Sequence, residues 1–191
     1  MNKFSESEAY KMLIKIAKLD EESLRKASDY IDTLLLAQRG RDEEDTEKYY
    51  VYTDGSSKPL PDGKNQAGLA YIVVSSKRGI IDKYSESLGN KTSFHAELSC
   101  VIKAFEKLDL PEATIFTDCF TIVTGIAQIP TWQKAGWKTK NGTDLKEKKL
   151  WKKLSELIEE NPGYKVHWVK GHGDDFCNIQ VDSMAKKAAG M

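Results

Sequence analysis

The chain is short of cysteine, and it lacks any long apolar run and any excess of charge of one sign. Its 191 residues contain three cysteines, Cys100, Cys119 and Cys177. An odd number with no close metal-ligand spacing excludes a disulfide framework and a cysteine-zinc site, and reads as ordinary thiols in a reducing compartment. No stretch is apolar enough for a membrane span, and the N-terminus, Met1-Asn2-Lys3-Phe4-Ser5-Glu6, does not read as a secretory leader. The expectation is a cytoplasmic protein without a membrane partner. Internal repeats and low-complexity tracts are also absent, which excludes solenoid and array architectures. Lys+Arg and Asp+Glu both number 29, so net charge identifies no partner.

The distribution of charge says more than the total. Residues 1–45 carry 8 basic and 11 acidic residues, leaving 21 basic and 18 acidic residues for the remainder. Between 134 and 153, eight lysines face only Asp144 and Glu147, a local basic patch.

The first segment reads as two helices. Ser5-Glu6-Ser7-Glu8 offers a capping box, followed by Tyr10, Leu13, Ile14 and Ala17 at helical spacing. A break at Leu19-Asp20-Glu21-Glu22 precedes a second apolar face of Leu24, Ala27, Ile31 and Leu34. The charged stretch Arg39 to Asp45 reads as a linker. The expected division is a helical extension over 1–45 and a second unit over 46–191. Two helices of this length cannot bury a core alone. They must pack on the rest of the chain, on a second copy of it, or on another protein.

From Tyr49 the period changes. Strands are predicted at Tyr49–Thr53, Gly68–Val74 and Ile80–Glu86, with a turn at Lys77-Arg78-Gly79 between the last two. A helix over Phe94–Leu108, a buried strand over Ala113–Thr117 and a helix from Phe120 to about Ala127 follow. Beyond a Trp- and Lys-rich stretch come a helix over Asp144–Glu160, a strand over Tyr164–Val169 and a helix over Asn178–Ala189. Three meandering strands followed by β-α-β connections imply an α/β fold with a mixed five-stranded sheet flanked by helices.

Four acids flank or end these apolar segments: Asp54 in Thr53-Asp54-Gly55-Ser56, Glu97 in His95-Ala96-Glu97-Leu98, Asp118 in Phe116-Thr117-Asp118-Cys119, and Asp182 in Val181-Asp182-Ser183-Met184-Ala185. Taken singly, Asp54-Gly55 reads as a turn, Glu97 as a solvated helix residue, Asp118 as a helix cap and Asp182 as a surface acid. Taken together they place carboxylates at the ends of the first and fourth strands and on two helices that border them. If those strands are parallel neighbours, the acids converge at one sheet edge. Their mutual repulsion then calls for hard divalent cations, which suit phosphodiester cleavage.

With Lys170-Gly171-His172-Gly173 and Gly136-Trp137-Lys138-Thr139 in the same order, residues from about 47 to 189 resemble a type 1 ribonuclease H domain over its full length. The resemblance implies a metal-dependent endoribonuclease that cuts the RNA strand of RNA–DNA hybrids, using two Mg²⁺ ions or Mn²⁺ in their place, to leave 5′-phosphate and 3′-hydroxyl ends. It implies that Asp54 bridges both ions, that Asp182 helps hold the ion that activates water, and that Glu97 and Asp118 serve the ion at the leaving oxygen. His172 would assist proton transfer or product release. It also implies substrate contacts by Thr92 (phosphate), by Trp132, Lys134, Lys138 and Lys140 in a basic protrusion, and by Asn178, which supports the site. Two other readings remain open: a nuclease of this fold with another nucleic-acid substrate, and a hybrid-binding protein without activity.

The chain departs from the family pattern at several points. The turn after the first strand is replaced by the longer, polar Lys58–Gln66. Ser93 and Phe94 stand where many members place Asn or Gln, Glu147 falls near a family asparagine of the phosphate pocket, and Pro130 alters the start of the protrusion. The N-terminal segment, acidic and helical, does not resemble the basic hybrid-binding module found ahead of many such domains.

Overall fold

A computed structural model describes residues 46–171 and 175–191 of the chain. The two expected N-terminal helices with their linker, and His172, lie outside the described residues. The described residues form β1 (Tyr49–Pro59), β2 (Asn65–Ser75), β3 (Gly79–Gly89), α1 (Ser93–Lys107), β4 (Ala113–Thr117), α2 (Phe120–Lys134), α3 (Lys148–Glu160), β5 (Tyr164–Trp168) and α4 (Phe176–Ala188).

The five strands make one sheet in the order β3-β2-β1-β4-β5. β1, β2 and β3 pair antiparallel, whereas β1 with β4 and β4 with β5 pair parallel. This is the mixed sheet that the strand order implied. Two-residue alternation sorts the central side chains between two cores. Val51, Leu69, Tyr71 and Val73 join Leu98, Val101 and Phe105 of α1 and Trp151 and Leu154 of α3 on one face. Tyr52, Ala70, Ile72 and Val74 meet Cys177, Val181 and Ala185 of α4 on the other. Because both faces are covered, β2 is buried without a break from Ala67 to Ser75 and carries the near-continuous apolar run of a central strand.

Several elements run further than the local pattern predicts. β1 extends from the expected Thr53 to Pro59 because all eleven of its residues pair with β2, from Tyr49↔Ser75 to Pro59↔Asn65. Proline is tolerated as the last residue of the strand. Within the polar stretch expected to be a loop, only the turn around Leu60–Lys64 stays outside the strands. There Gly63 takes φ +77° and the Leu60 N–H donates to Lys64 O at 2.8 Å. α2 continues beyond the expected Ala127 and passes Pro130. Buried Ile129 and the contact between Trp132 and Trp151, with ring centroids 5.1 Å apart, hold this last part against the core. Packing therefore offsets the helix hydrogen bond that proline removes. α3 begins at Lys148, later than the expected Asp144, because Glu147 adopts a left-handed conformation with φ 58°.

Candidate active site

Three of the four acids converge. β1 and β4 run parallel, and their last paired residues are Thr53 and Thr117. Asp54 and Asp118 are the next residues on each, so they stand at the same level where the two strands stop pairing, with Asp54 still paired to Ala70 of β2. α1 delivers the third. Thr92 caps its N-terminus by accepting the His95 N–H at 3.1 Å, and Ser93 Oγ donates to Gly55 O at 3.1 Å, which docks the first turn on β1. One turn later Glu97 faces the sheet. Single carboxylate oxygens of Asp54, Glu97 and Asp118 all lie within 4.8 Å of one another.

The electrostatics of this group are unfavourable for three anions alone. Asp54 is 6 % and Glu97 9 % exposed, while Asp118 is half-buried. Asp54 Oδ2 and Glu97 Oε2 have no hydrogen-bond partner among the described residues. Burial, then the charges of Asp118 and Asp182, push the Asp54 carboxyl up to about 7, against the pull of Lys186 and the Gly55 N–H. Burial, then the charges of Asp54 and Asp118, hold Glu97 well above the usual carboxylate range. Buried, unpartnered acceptor oxygens in such a group fit a divalent cation, which accepts several carboxylate oxygens and removes the repulsion.

Asp182 stands beside this trio. It projects from α4, and its Oδ2 accepts from Lys186 Nζ at 2.7 Å, one helical turn on. Its charge still raises Asp54, and Lys186 also responds to Asp54, so all four acids and one lysine share a single electrostatic neighbourhood. Gly171 reaches the same place from β5, where an added Cβ would lie 2.6 Å from Asp118 Oδ2.

The expected substrate residues fall into distinct settings. Thr92 is exposed at the α1 N-terminus, so the cap also presents its hydroxyl to solvent. Lys134, Lys138 and Lys140 are all exposed. Trp132 is half-buried and lines a cavity of about 500 Å³ with Phe94, Thr121, Gln128 and Trp151. Trp137 is half-buried at φ 62°, with Lys152 Nζ 5.9 Å from its ring. Asn178 is 5 % exposed in the first turn of α4, and its N–H donates to the Asp175 cap at 3.1 Å.

Two pairings were not among the sequence expectations. His95, which the sequence left without a role, places Nδ1 3.0 Å from Glu147 Oε2, tying the start of α1 to the start of α3. A separation of 52 residues carries no local signal. The pair of Asp182 and Lys186 has the i, i+4 spacing and is the kind that helical periodicity can reveal.

Known proteins resemble this chain in sequence and in fold. The family model for RNase H matches residues 46–190. The ribonuclease H of Ruthia magnifica subsp. Calyptogena magnifica is 33 % identical over 145 residues, which span 74 % of this chain and 94 % of that protein. The ribonuclease H of Paracidovorax citrulli is 34 % identical over 143 residues, 72 % of this chain and 91 % of that protein. Among solved structures, the PFV RNase H domain in solution superposes with a TM-score of 0.62 at 25 % identity, covering 76 % of this chain and 93 % of that domain.

Proposed function

This chain belongs to the ribonuclease H family, and from that premise we propose that it hydrolyses the RNA strand of RNA–DNA hybrids at the acid cluster, leaving 5′-phosphate and 3′-hydroxyl ends. The observation that carries this reading is the meeting of Asp54, Glu97 and Asp118 oxygens within 4.8 Å, two of the side chains being buried with an unpartnered oxygen. Asp54, Glu97 and Asp118 would hold the cations, with Asp182 completing the set from α4. Bound there, two Mg²⁺ ions, or Mn²⁺ in their place, would supply charge stabilisation for the attacking and the leaving oxygen.

The protein's own part is positioning. Asp54 and Glu97 are fixed by burial in β1 and α1, so they need little reorganisation when charge develops. Lys186 offsets the negative charge of Asp182 and holds that side chain through their ion pair. His172 follows Gly171, which lies against Asp118, and we assign it to proton transfer or product release. The exposed Lys134, Lys138 and Lys140 would neutralise phosphates, with Trp132 beside them; the Thr92 hydroxyl at the α1 N-terminus is set to bind a further phosphate, and Asn178 to support the site from α4. Discrimination for a hybrid would rest on 2′-hydroxyl contacts along the cut strand. We assign residues 46–191 to the catalytic unit and residues 1–45 to an extension that serves self-association or a protein partner.

Substrate competition tests the reading. A strand-labelled hybrid is incubated beside duplex RNA, duplex DNA and single-stranded RNA, and the product ends are analysed. Cutting confined to the RNA strand of the hybrid, with 5′-phosphate products, is expected. Cutting of duplex RNA or DNA at an equal rate would replace the substrate assignment, and binding without cutting would replace the catalytic one.

A further inference from the structure

One acid stands apart from the other three. Oxygens of Asp54, Glu97 and Asp118 share the 4.8 Å neighbourhood, and Asp182 is outside that group. Its Oδ2 instead accepts from Lys186 Nζ at 2.7 Å. The acid that α4 brings to the cluster is thus held by a cation of its own helix.

The backbone of this pair is fixed. Val181 and Ala185, each one residue before a member of the pair, are fully buried under the sheet. Further along α4, a Cβ on Gly68 of β2 would stand 2.4 Å from Ala189 N, so helix and strand are in close contact. Asp182 and Lys186 lie one turn apart on this anchored helix. Parting them requires rotation of two side chains and no movement of α4. Both side chains are partly exposed, so solvent weakens the pair and it opens easily.

The ammonium does for the empty site part of what a metal ion does. It places one positive charge among four acids, and it also pulls the Asp54 carboxyl down against the push of burial and of its acidic neighbours. That same charge opposes an arriving cation. A divalent ion that uses Asp182 must take Oδ2 from Lys186 and bind beside the displaced ammonium. Carboxylate oxygens are ligands for a hard divalent ion, whose double charge outweighs one ammonium at a partly exposed site.

We propose that Lys186 is a built-in competitor for Asp182: it occupies Oδ2 in the metal-free protein, and the cation on the Asp182 side of the cluster binds by displacing it. Lys186 is then a positioning residue that acts through Asp182 and sets the concentration at which that cation loads. The inference rests on reading the acid cluster as a cation site.

The test is calorimetric titration of the full chain with Mn²⁺ in the absence of nucleic acid. It compares wild type, Lys186→Met and Lys186→Arg, and repeats Lys186→Met in an Asp182→Asn background. Methionine keeps the length of the side chain and removes the charge, so Mn²⁺ should bind about fivefold more tightly. Arginine keeps the charge and should bind Mn²⁺ as wild type does or more weakly. Most of the gain from Lys186→Met should disappear once Asp182 is asparagine. Unchanged or weaker Mn²⁺ binding by Lys186→Met, beside normal binding by wild type, would overturn the competition and leave the cation site intact. An undiminished gain in the Asp182→Asn background would assign the effect to overall charge and overturn it equally. Wild type that binds no Mn²⁺ would sink the cation-site reading and this inference together.

Discussion

Gly55 and Glu97 meet so closely that no side chain fits between them. A Cβ on Gly55 would stand 2.1 Å from the Glu97 backbone nitrogen and 2.3 Å from the Ala96 carbonyl carbon. Both neighbours are backbone, so neither can swing aside. The glycine that follows Asp54 therefore sets how near α1 comes to β1, and with it the separation of two acids of the cluster. Gly55→Ala should displace α1, with an overpacking cost of about 1–3 kcal/mol. Thermal melting should show the loss of stability. Cleavage should fall more than stability explains, because Glu97 moves with its helix. A variant with wild-type melting and activity would mean that the strand and helix can part without consequence.

Neutralising one acid should separate binding from chemistry. Asp118→Asn keeps the size of the side chain and removes a charge from the half-buried member of the trio. Loss of a partner one shell further out commonly costs 10–100-fold in metal affinity or activity, so loss of a ligand should lower cleavage by more than about 100-fold. Hybrid affinity measured in EDTA should hold or improve, since the repulsion of substrate phosphates is reduced. Wild-type cleavage by this variant would remove Asp118 from the metal site.

The metal-free protein should become less stable as pH rises through the weakly acidic range. Asp54 titrates near 7 when folded, against 3.8 for an ordinary aspartate. Between these values the folded state binds more protons than the unfolded one, so the free energy of unfolding falls with pH by roughly 1 kcal/mol per pH unit for this group alone. The effect levels off below about pH 4 and above about pH 7. Other groups act in the opposite sense. Hydrogen bonds from Ser75, Arg78 and Tyr49 hold Glu47 down at about 2, so it contributes stability above its usual value that is lost as the pH falls toward 2. The difference between wild type and Asp54→Asn, measured by denaturant melts in EDTA, isolates the acid. It should widen in favour of the variant from pH 4 to 7 and shrink on adding Mg²⁺. A constant difference across that range would contradict the crowding of the acids.

The meeting of Asp54, Glu97 and Asp118 was legible in the sequence, and the reasons are local. Asp54 and Asp118 each follow a β-branched or aromatic strand, and the strand order already implied a shared edge. The Asn161-Pro162-Gly163 stop ended α3 where expected. The misjudged features depend on partners distant in the chain. Pro59 reads as a breaker until Asn65 pairs with it. The helix pattern reads as ending near Ala127, ahead of Pro130, until Trp151 packs against Trp132. His95 reads as an idle helix residue until Glu147, in a left-handed turn, meets it. Trp168 looked like an ordinary strand residue, and its exposure beside Phe120 emerges only from the register of β5 on β4.

The exposed lysines between 134 and 140 give a prediction that depends on salt. Replacing Lys134, Lys138 and Lys140 together by alanine should raise KM and leave kcat near wild type, because the three are exposed and none belongs to the acid cluster. If each meets a phosphate, the slope of log affinity against log salt should flatten by about 2–3. An unchanged slope would assign these lysines to solubility.

The most direct measurement is the Mg²⁺ dependence of RNA-strand cleavage in a hybrid, run on wild type and Asp54→Asn with an EDTA control. The acid cluster as a cation site predicts saturable activation of wild type, no cutting in EDTA, and no recovery of the variant at high Mg²⁺. Cleavage that persists in EDTA, or an Asp54→Asn variant that cuts like wild type, would contradict it.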